Sequence, residues 1–325
     1  MVLFRGTRTL FFINIFLLLS LTARSQTIVE TSDITRFWQM YDRLVYCSSE
    51  EDSVQWIQTQ YLDKASKGFK EFQKVRDLDA RYYLKNFRNA PSFWASLRPR
   101  TEDLENRTEE VHAVLDQFEN RFKHFKRPKV CFAIGALSTG GTISSGWLLI
   151  GAEIVMADSS VNKEELNSWL QFAMQDHDQL KSFIAHETVH TMQRNTFSVL
   201  WGYLFTRKLT MSMLEGAADF IALEVAGETI NANLYAYGYR HEESIKRRFS
   251  EDLYNNDSDS WLYNGINAEN GPADLGYFIG SQACKAYFNK QNQSSKALKK
   301  IALMKRPKSI AKKSDYFNLV PSSTE

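Results

Sequence analysis

The sequence predicts an α+β fold that is mostly α-helical, with a small antiparallel sheet and one helix that carries the chemistry. Three observations predict it. Apolar residues recur at helical spacing over most of the 325 residues. One window, "RPKVCFAIGALSTGGTISSGWLLIGAEIVMA", instead holds two β-type runs separated by glycines and small polar residues. A third segment, "FIAHETVHTMQ", sets two histidines four apart, which on a helix puts them on one face.

The elements follow in order. At the start, Arg5 and Arg8 precede an apolar run from Leu10 to Leu21, with Ala23 and Ser25 after it. This is the order of a cleavable secretory signal over residues 1–25, with cleavage expected before Gln26. The run is shorter than the roughly 20 residues that cross a bilayer. An uncleaved anchor is the other reading. No cysteine stands at the cleavage point, so a lipid anchor is not expected, nor is a transmembrane span after signal cleavage. The protein is therefore expected to be secreted or periplasmic. Three of the 40 basic residues lie in this leader, which leaves the remainder close to neutral against 38 acidic residues. That balance offers no electrostatic case for nucleic acid. Cys47, Cys131 and Cys284 are too few and odd in number for a disulfide framework. One bridge with a free thiol and three buried thiols both fit.

Residues 26–128 read as a helical N-terminal region. "SDITRFWQMYDRLVY" has a Ser/Asp start and apolar positions at helical spacing, and "SSEEDSVQWIQTQYL" begins the same way. "TEDLENRTEEVHAVLDQFENRFKHF" predicts a long amphipathic helix capped by Thr101. Residues 129–325 form the second expected domain. Pro128 ends the helical texture, and Val130–Ala136 and Trp147–Val155 are the two expected strands. Gly151 inside the second marks a bulge or a close backbone approach. Helices follow at "VNKEELNSWLQFAM", Asp178 to Arg194, Thr206 to Val225, Ile230 to Leu253, "PADLGYFIGSQACKAYF" and "SSKALKKIALM".

His186 and His190 can aim two imidazoles at one point. Zinc takes four ligands in tetrahedral order, so two histidines supply half of a site. Glu187 sits about 100° round the helix, beside such a metal rather than on it. There a carboxylate can take a proton from water and pass it to a leaving amine. The pair alone also fits a helix with two unrelated histidines, so a third ligand is required. Glu215, in "MSMLEGAADFIALEV", is 25 residues beyond His190 on the next expected helix. Asp219, four further on, shares its face and can hold the far nitrogen of a ligand histidine. Gly216, Ala217 and Ala218 are small enough for helices to approach closely. One Zn2+ is the expected cofactor.

"HETVH" followed by "EGAAD" resembles the gluzincin zinc metallopeptidases, the thermolysin-like branch of the zincins. The resemblance implies a zincin-like core and zinc ligation by His186, His190 and Glu215. It also implies Glu187 as the base and Asp219 as the family's helix aspartate. The glycine and third histidine of the metzincins are missing from "TMQRNTFSV". A closer likeness, over about 129–290, is to predicted bacterial envelope zinc-dependent proteases, some related to gliding-motility proteins. It rests on "STGGTISSGWLLIGAEI" before the motif and "LGYFIG" after it. It makes Tyr277 the first choice for donating to the tetrahedral oxyanion, ahead of Tyr237, Tyr239 and His241. It also implies that the strand Trp147 to Val155 pairs with an extended substrate.

The expected activity is hydrolysis of a peptide or protein substrate. Two alternatives remain open: an envelope binding or assembly protein that keeps zinc without turnover, and a zinc hydrolase of a non-peptide substrate. His112, His124 and His177 read as non-ligands. Lys296 to Lys313 holds eight basic residues and no acidic ones, which suits either a solvated helix face or contact with an anionic envelope surface.

Overall fold

In the computed structural model the described residues are 27–318 without Arg194, Asp252, Asn270 and Gln293; the leader expected at 1–25 lies outside them. Cap chemistry fixes many helix starts. Ser49, Ser66, Asp79, Asn167, Thr196 and Ser294 each accept a hydrogen bond from an amide two or three residues on, as capping oxygens do at helix N-termini.

The N-terminal region contributes a short strand, β1 (Val29–Glu30), and six helices. These are α1 (Ser32–Tyr41), α2 (Glu50–Ile57), α3 (Lys67–Arg76), α4 (Ala80–Asn89), α5 (Pro91–Glu102) and α6 (Thr108–Arg121). Thr101 does not cap the amphipathic helix. It is buried in the last turn of α5, where its hydroxyl accepts from the Trp38 indole at 2.9 Å. A 3-10 turn, Asp103–Arg107, intervenes before α6.

Three more strands follow: β2 (Lys129–Ala133), β3 (Gly141–Ser144) and β4 (Trp147–Gly151). The sheet order is β1-β2-β4-β3. The sheet is mixed, not antiparallel as expected. β2 runs parallel to both β1 and β4, and only β3 and β4 are antiparallel. The glycine-rich segment is the reason. It is not a simple turn but carries β3, which hairpins onto β4 through Ser145 and Gly146. Both have positive φ, +47° and +81°, the conformation that two-residue hairpins favour. That reversal brings β4 back alongside β2 in the same direction. The second expected strand also ends early, at Gly151, and the next residues turn into α7 (Ala152–Val155). Gly151 marks the close approach anticipated for it, since a Cβ there would lie 2.1 Å from the Thr139 carbonyl oxygen.

The remaining helices are α8 (Ser168–Ala173), α9 (Leu180–Met192), α10 (Phe197–Phe205), α11 (Arg207–Ala226), α12 (Ala232–Glu251), α13 (Leu275–Lys290), α14 (Ser295–Leu303) and α15 (Pro307–Ser314). α12 is kinked at His241. α9 packs on β3, β4, α6 and α11, and is buried on nearly every side. α11 and α13 cross at two glycines: a Cβ on Gly280 would lie 1.8 Å from the Ser212 carbonyl oxygen, and one on Gly216 would lie 2.2 Å from the Gly280 backbone.

The buried apolar residues form one cluster, with Phe37, Phe69 and Trp94 from the N-terminal region and Phe132, Ile184 and Phe278 from the rest. The Tyr61 and Tyr83 hydroxyls both donate to the Ile134 carbonyl, at 2.9 and 2.6 Å. All three cysteines are free, with Cys131 and Cys284 buried.

Candidate metal centre

α9 brings His186 and His190 to one face, and the return through α10 brings Glu215 on α11 against them. The two Nε2 atoms are 3.1 Å apart, and Glu215 Oε2 lies 3.4 Å from His186 Nε2 and 3.2 Å from His190 Nε2. Zinc bonds of about 2.0–2.1 Å in tetrahedral order require ligand atoms about 3.3–3.4 Å apart. The triangle therefore fits a zinc ion with its fourth position open, and the two-nitrogen, one-oxygen donor set suits it chemically.

The outer nitrogens are held as a metal site requires. His186 Nδ1–H donates to Asp219 Oδ1 at 2.7 Å, because a carboxylate can only accept. Asn231 and the Tyr235 hydroxyl donate to the other Asp219 oxygen at 2.8 and 3.1 Å. His190 Nδ1–H donates to Gln193 Oε1 at 3.0 Å, and the Gln193 amide nitrogen donates to the Leu214 carbonyl at 2.7 Å. With each Nδ1 engaged outward, Nε2 of each ring is the nitrogen left to bind a metal, which would displace any proton there. The free oxygen of Glu215 accepts from the Tyr263 hydroxyl at 2.6 Å.

Burial opposes charge throughout, and the partners decide the outcome. Burial would lower the His186 pKa, but hydrogen bonds to Asp219 and Glu215 outweigh it and raise it to about 10. Burial would raise that of Glu215, but His190 and His186 hold it well below the usual carboxylate range. For Glu187 burial wins: its carboxyl lies above its ordinary value even though both histidines pull it down. Glu187 lies beside β3, where a Cβ on Gly141 would come within 2.6 Å of its Oε1.

These groups line one cleft of about 1070 Å³, walled by β3 and by Trp169, Phe172, Tyr263 and Tyr277. The Tyr277 ring stacks over His186, with centroids 6.0 Å apart and planes 26° apart. Tyr237 instead packs on His241, and Tyr239 on Phe278; none of Tyr237, Tyr239 and His241 lines the cleft. His112, His124 and His177 are not part of the cluster. β4 is paired on both sides, so the strand expected to take an extended substrate has no free edge. The free edge beside Glu187 belongs to β3.

Three site residues and one buried carboxylate behind the site went unread in the sequence. Gln193 stands three after His190, on the same helical face, so the signal was present. Asn231 lies in the stretch expected as helix from Ile230 but stands in the turn before α12, and Tyr263 comes from a loop segment with no periodicity. Glu153 is fully buried behind the β2–β3 connection, where its Oε1 accepts from the Gly135 and Leu137 amides at 2.9 and 2.7 Å. A second metal-like group, Glu30, Asp33 and Cys131, is already engaged. The Gly68 amide donates to Glu30 and the Ser66 amide to Asp33, so the carboxylates anchor the start of α3.

Residues 161–305 match the model of a family described as "Predicted Zn-dependent protease (DUF2268)". That span holds His186, Glu187, His190, Glu215, Asp219, Tyr263 and Tyr277; the sheet and α1–α6 lie outside it. The match supports a zinc protease relationship for this part of the chain. No curated protein and no solved structure matches the chain.

Proposed function

We propose that the protein is a zinc peptidase of the gluzincin type, with His186, His190 and Glu215 as zinc ligands and Glu187 as general base. The observation that carries this reading is Glu187 itself. It is a buried carboxylate beside a three-ligand cluster whose fourth position is open, and a purely structural site has no use for it. Zinc held there supplies a Lewis acid for the scissile carbonyl and makes water acidic enough to deprotonate near neutral pH.

The chain's own residues do the rest. Glu187 takes the proton of the attacking water and returns it to the leaving amine. Tyr263 is engaged with Glu215 and orients that ligand. Tyr277, over His186 and facing the cleft, donates to the developing oxyanion. The β3 edge pairs with an extended peptide through backbone hydrogen bonds, giving affinity with little sequence preference. That edge favours a peptide over a non-peptide acyl substrate. The leader expected at 1–25 supports an activity outside the cytoplasm, in secretion or the periplasm.

The test is metal content by mass spectrometry together with hydrolysis of a peptide library. Wild type and Glu187→Gln should each hold one zinc, and the variant should lose at least about 100-fold in rate. Glu215→Ala should lose the zinc. Metal-free wild type, or full activity in Glu187→Gln, would overturn the reading.

A further inference from the structure

The connection between the two ligand-bearing helices has an inverted surface. α10 reads "FSVLWGYLF" and buries only Val199 and Gly202, with Gly202 fitted against Thr210 of α11. Its outward face carries Phe197, Leu200, Trp201, Leu204 and Phe205, all exposed, with Phe197 at 77%, Trp201 at 53% and Leu204 at 64%. The spacing i, i+3, i+4, i+7, i+8 makes one continuous apolar stripe, and it faces solvent where a surface helix normally presents polar residues. The Phe197, Trp201 and Phe205 rings contact one another in sequence along it at tilted angles, with centroids 5.6 and 4.4 Å apart.

The flank of this stripe is cationic. Thr196, the cap of α10, donates to the Lys305 carbonyl at 2.6 Å, and α15 packs beside α10. At the other end Asn256 donates to the Leu204 carbonyl, and Lys308 lies 4.4 Å over the ring of neighbouring Tyr254. All eight basic residues between Lys296 and Lys313 are exposed. The segment has no acidic residue to neutralise them.

We propose that α10 docks the protein on an anionic lipid bilayer. The Phe197–Phe205 stripe enters the interface, and the basic α14–α15 segment lies on the headgroups. An aromatic and aliphatic face bordered by Lys and Arg is what such a surface takes up, since apolar burial and headgroup charge then act together. A second copy of the chain fits less well, because pairing two stripes would oppose one cationic flank to another. Tyr203, on the same helix, lines the cleft, so docking by α10 opens the cleft at the membrane surface. Substrates would then be peptide segments held close to lipid. The docking itself needs only the fold and stands independently of the peptidase reading.

The experiment uses indole fluorescence of the full chain with vesicles of brominated phosphatidylglycerol and phosphatidylcholine. Residues 1–26 contain no tryptophan. Among the described residues Trp201 is the one with high exposure. Quenching therefore reports α10 even where the N-terminal apolar run also meets lipid. The expected result is a quenched component in wild type that is absent in Trp201→Phe. The vesicle affinity should fall about tenfold in Lys305→Glu/Lys308→Glu and weaken with salt. The proposal is overturned by an unquenched wild type, by equal quenching in Trp201→Phe, or by equal quenching on purely zwitterionic brominated vesicles. A stable dimer in sedimentation equilibrium with Trp201 shielded from aqueous quencher would also overturn it, in favour of self-association.

Discussion

Asp219 reaches the metal cluster only through the His186 ring, yet it receives two further hydrogen bonds, from Asn231 and Tyr235. Removing such a partner frees the ring without removing a ligand. Asp219→Ala should therefore weaken zinc binding by about 10–100-fold, read by competition with a chromophoric chelator, while stoichiometry at saturating zinc stays at one. Gly141 makes the complementary case. Its missing Cβ leaves the space filled by the Glu187 carboxylate. Gly141→Ala should displace that carboxylate, retain zinc and lower kcat more than tenfold, since a shift of about 1 Å at a catalytic group costs on the order of 100-fold. Zinc lost in parallel with activity would count against a separate role for Glu187.

At the scale of elements, α11 and α13 meet where glycine is compulsory. A Cβ on Gly280 would sit 1.8 Å from the Ser212 carbonyl oxygen, which is backbone and cannot swing aside. Gly280→Ala should cost at least the upper end of the usual overpacking range of about 1–3 kcal/mol, measured by denaturant unfolding. It should also reduce zinc occupancy, because Glu215 adjoins Gly216 at the same crossing. This contact was half legible in the sequence: "EGAAD" announced a close approach, but not that "LGYFIG" supplied the partner. The same division runs through the fold. His186 and His190 were readable because helical spacing alone sets which side chains share a face, and Glu215 because it follows 25 residues later on the next expected helix with Asp219 four beyond it. The direction of β4 was not, because strand direction depends on pairing between distant segments. β3, a four-residue strand in a glycine-rich stretch, carries too little alternation to show itself. Tyr263 escaped because loop residues have no period. α10 left an apolar signature, but nothing local shows that an apolar stripe faces outward.

Over the whole molecule, the connection from Ile134 to Gly141 joins the N-terminal helices to the half that carries the His186–His190–Glu215 cluster. Tyr61 and Tyr83 hold it at Ile134 from one side, and Glu153 holds Gly135 and Leu137 from the other. Its far end is Gly141, against Glu187, so the stability of this junction bears directly on the cleft. Burial raises the Glu153 carboxyl to about 7 despite the amide hydrogen bonds from Leu137 and Gly135 that favour its charged form. The folded state therefore holds this proton more tightly than the unfolded chain, where the ordinary value is 4.5. Between those two values the native state binds more protons, so stability falls as pH rises from about 4.5 to about 7 and is flat outside that window. At about 1.4 kcal/mol per pKa unit, the whole effect is about 3 kcal/mol. Glu153→Gln keeps an oxygen to accept both amides and cannot ionise. Urea unfolding of the two proteins across this window should show wild type losing about 3 kcal/mol relative to the variant as pH rises. Parallel pH profiles would mean that Glu153 keeps an ordinary pKa in the fold, and that the Ile134–Gly141 connection is held without a buried proton.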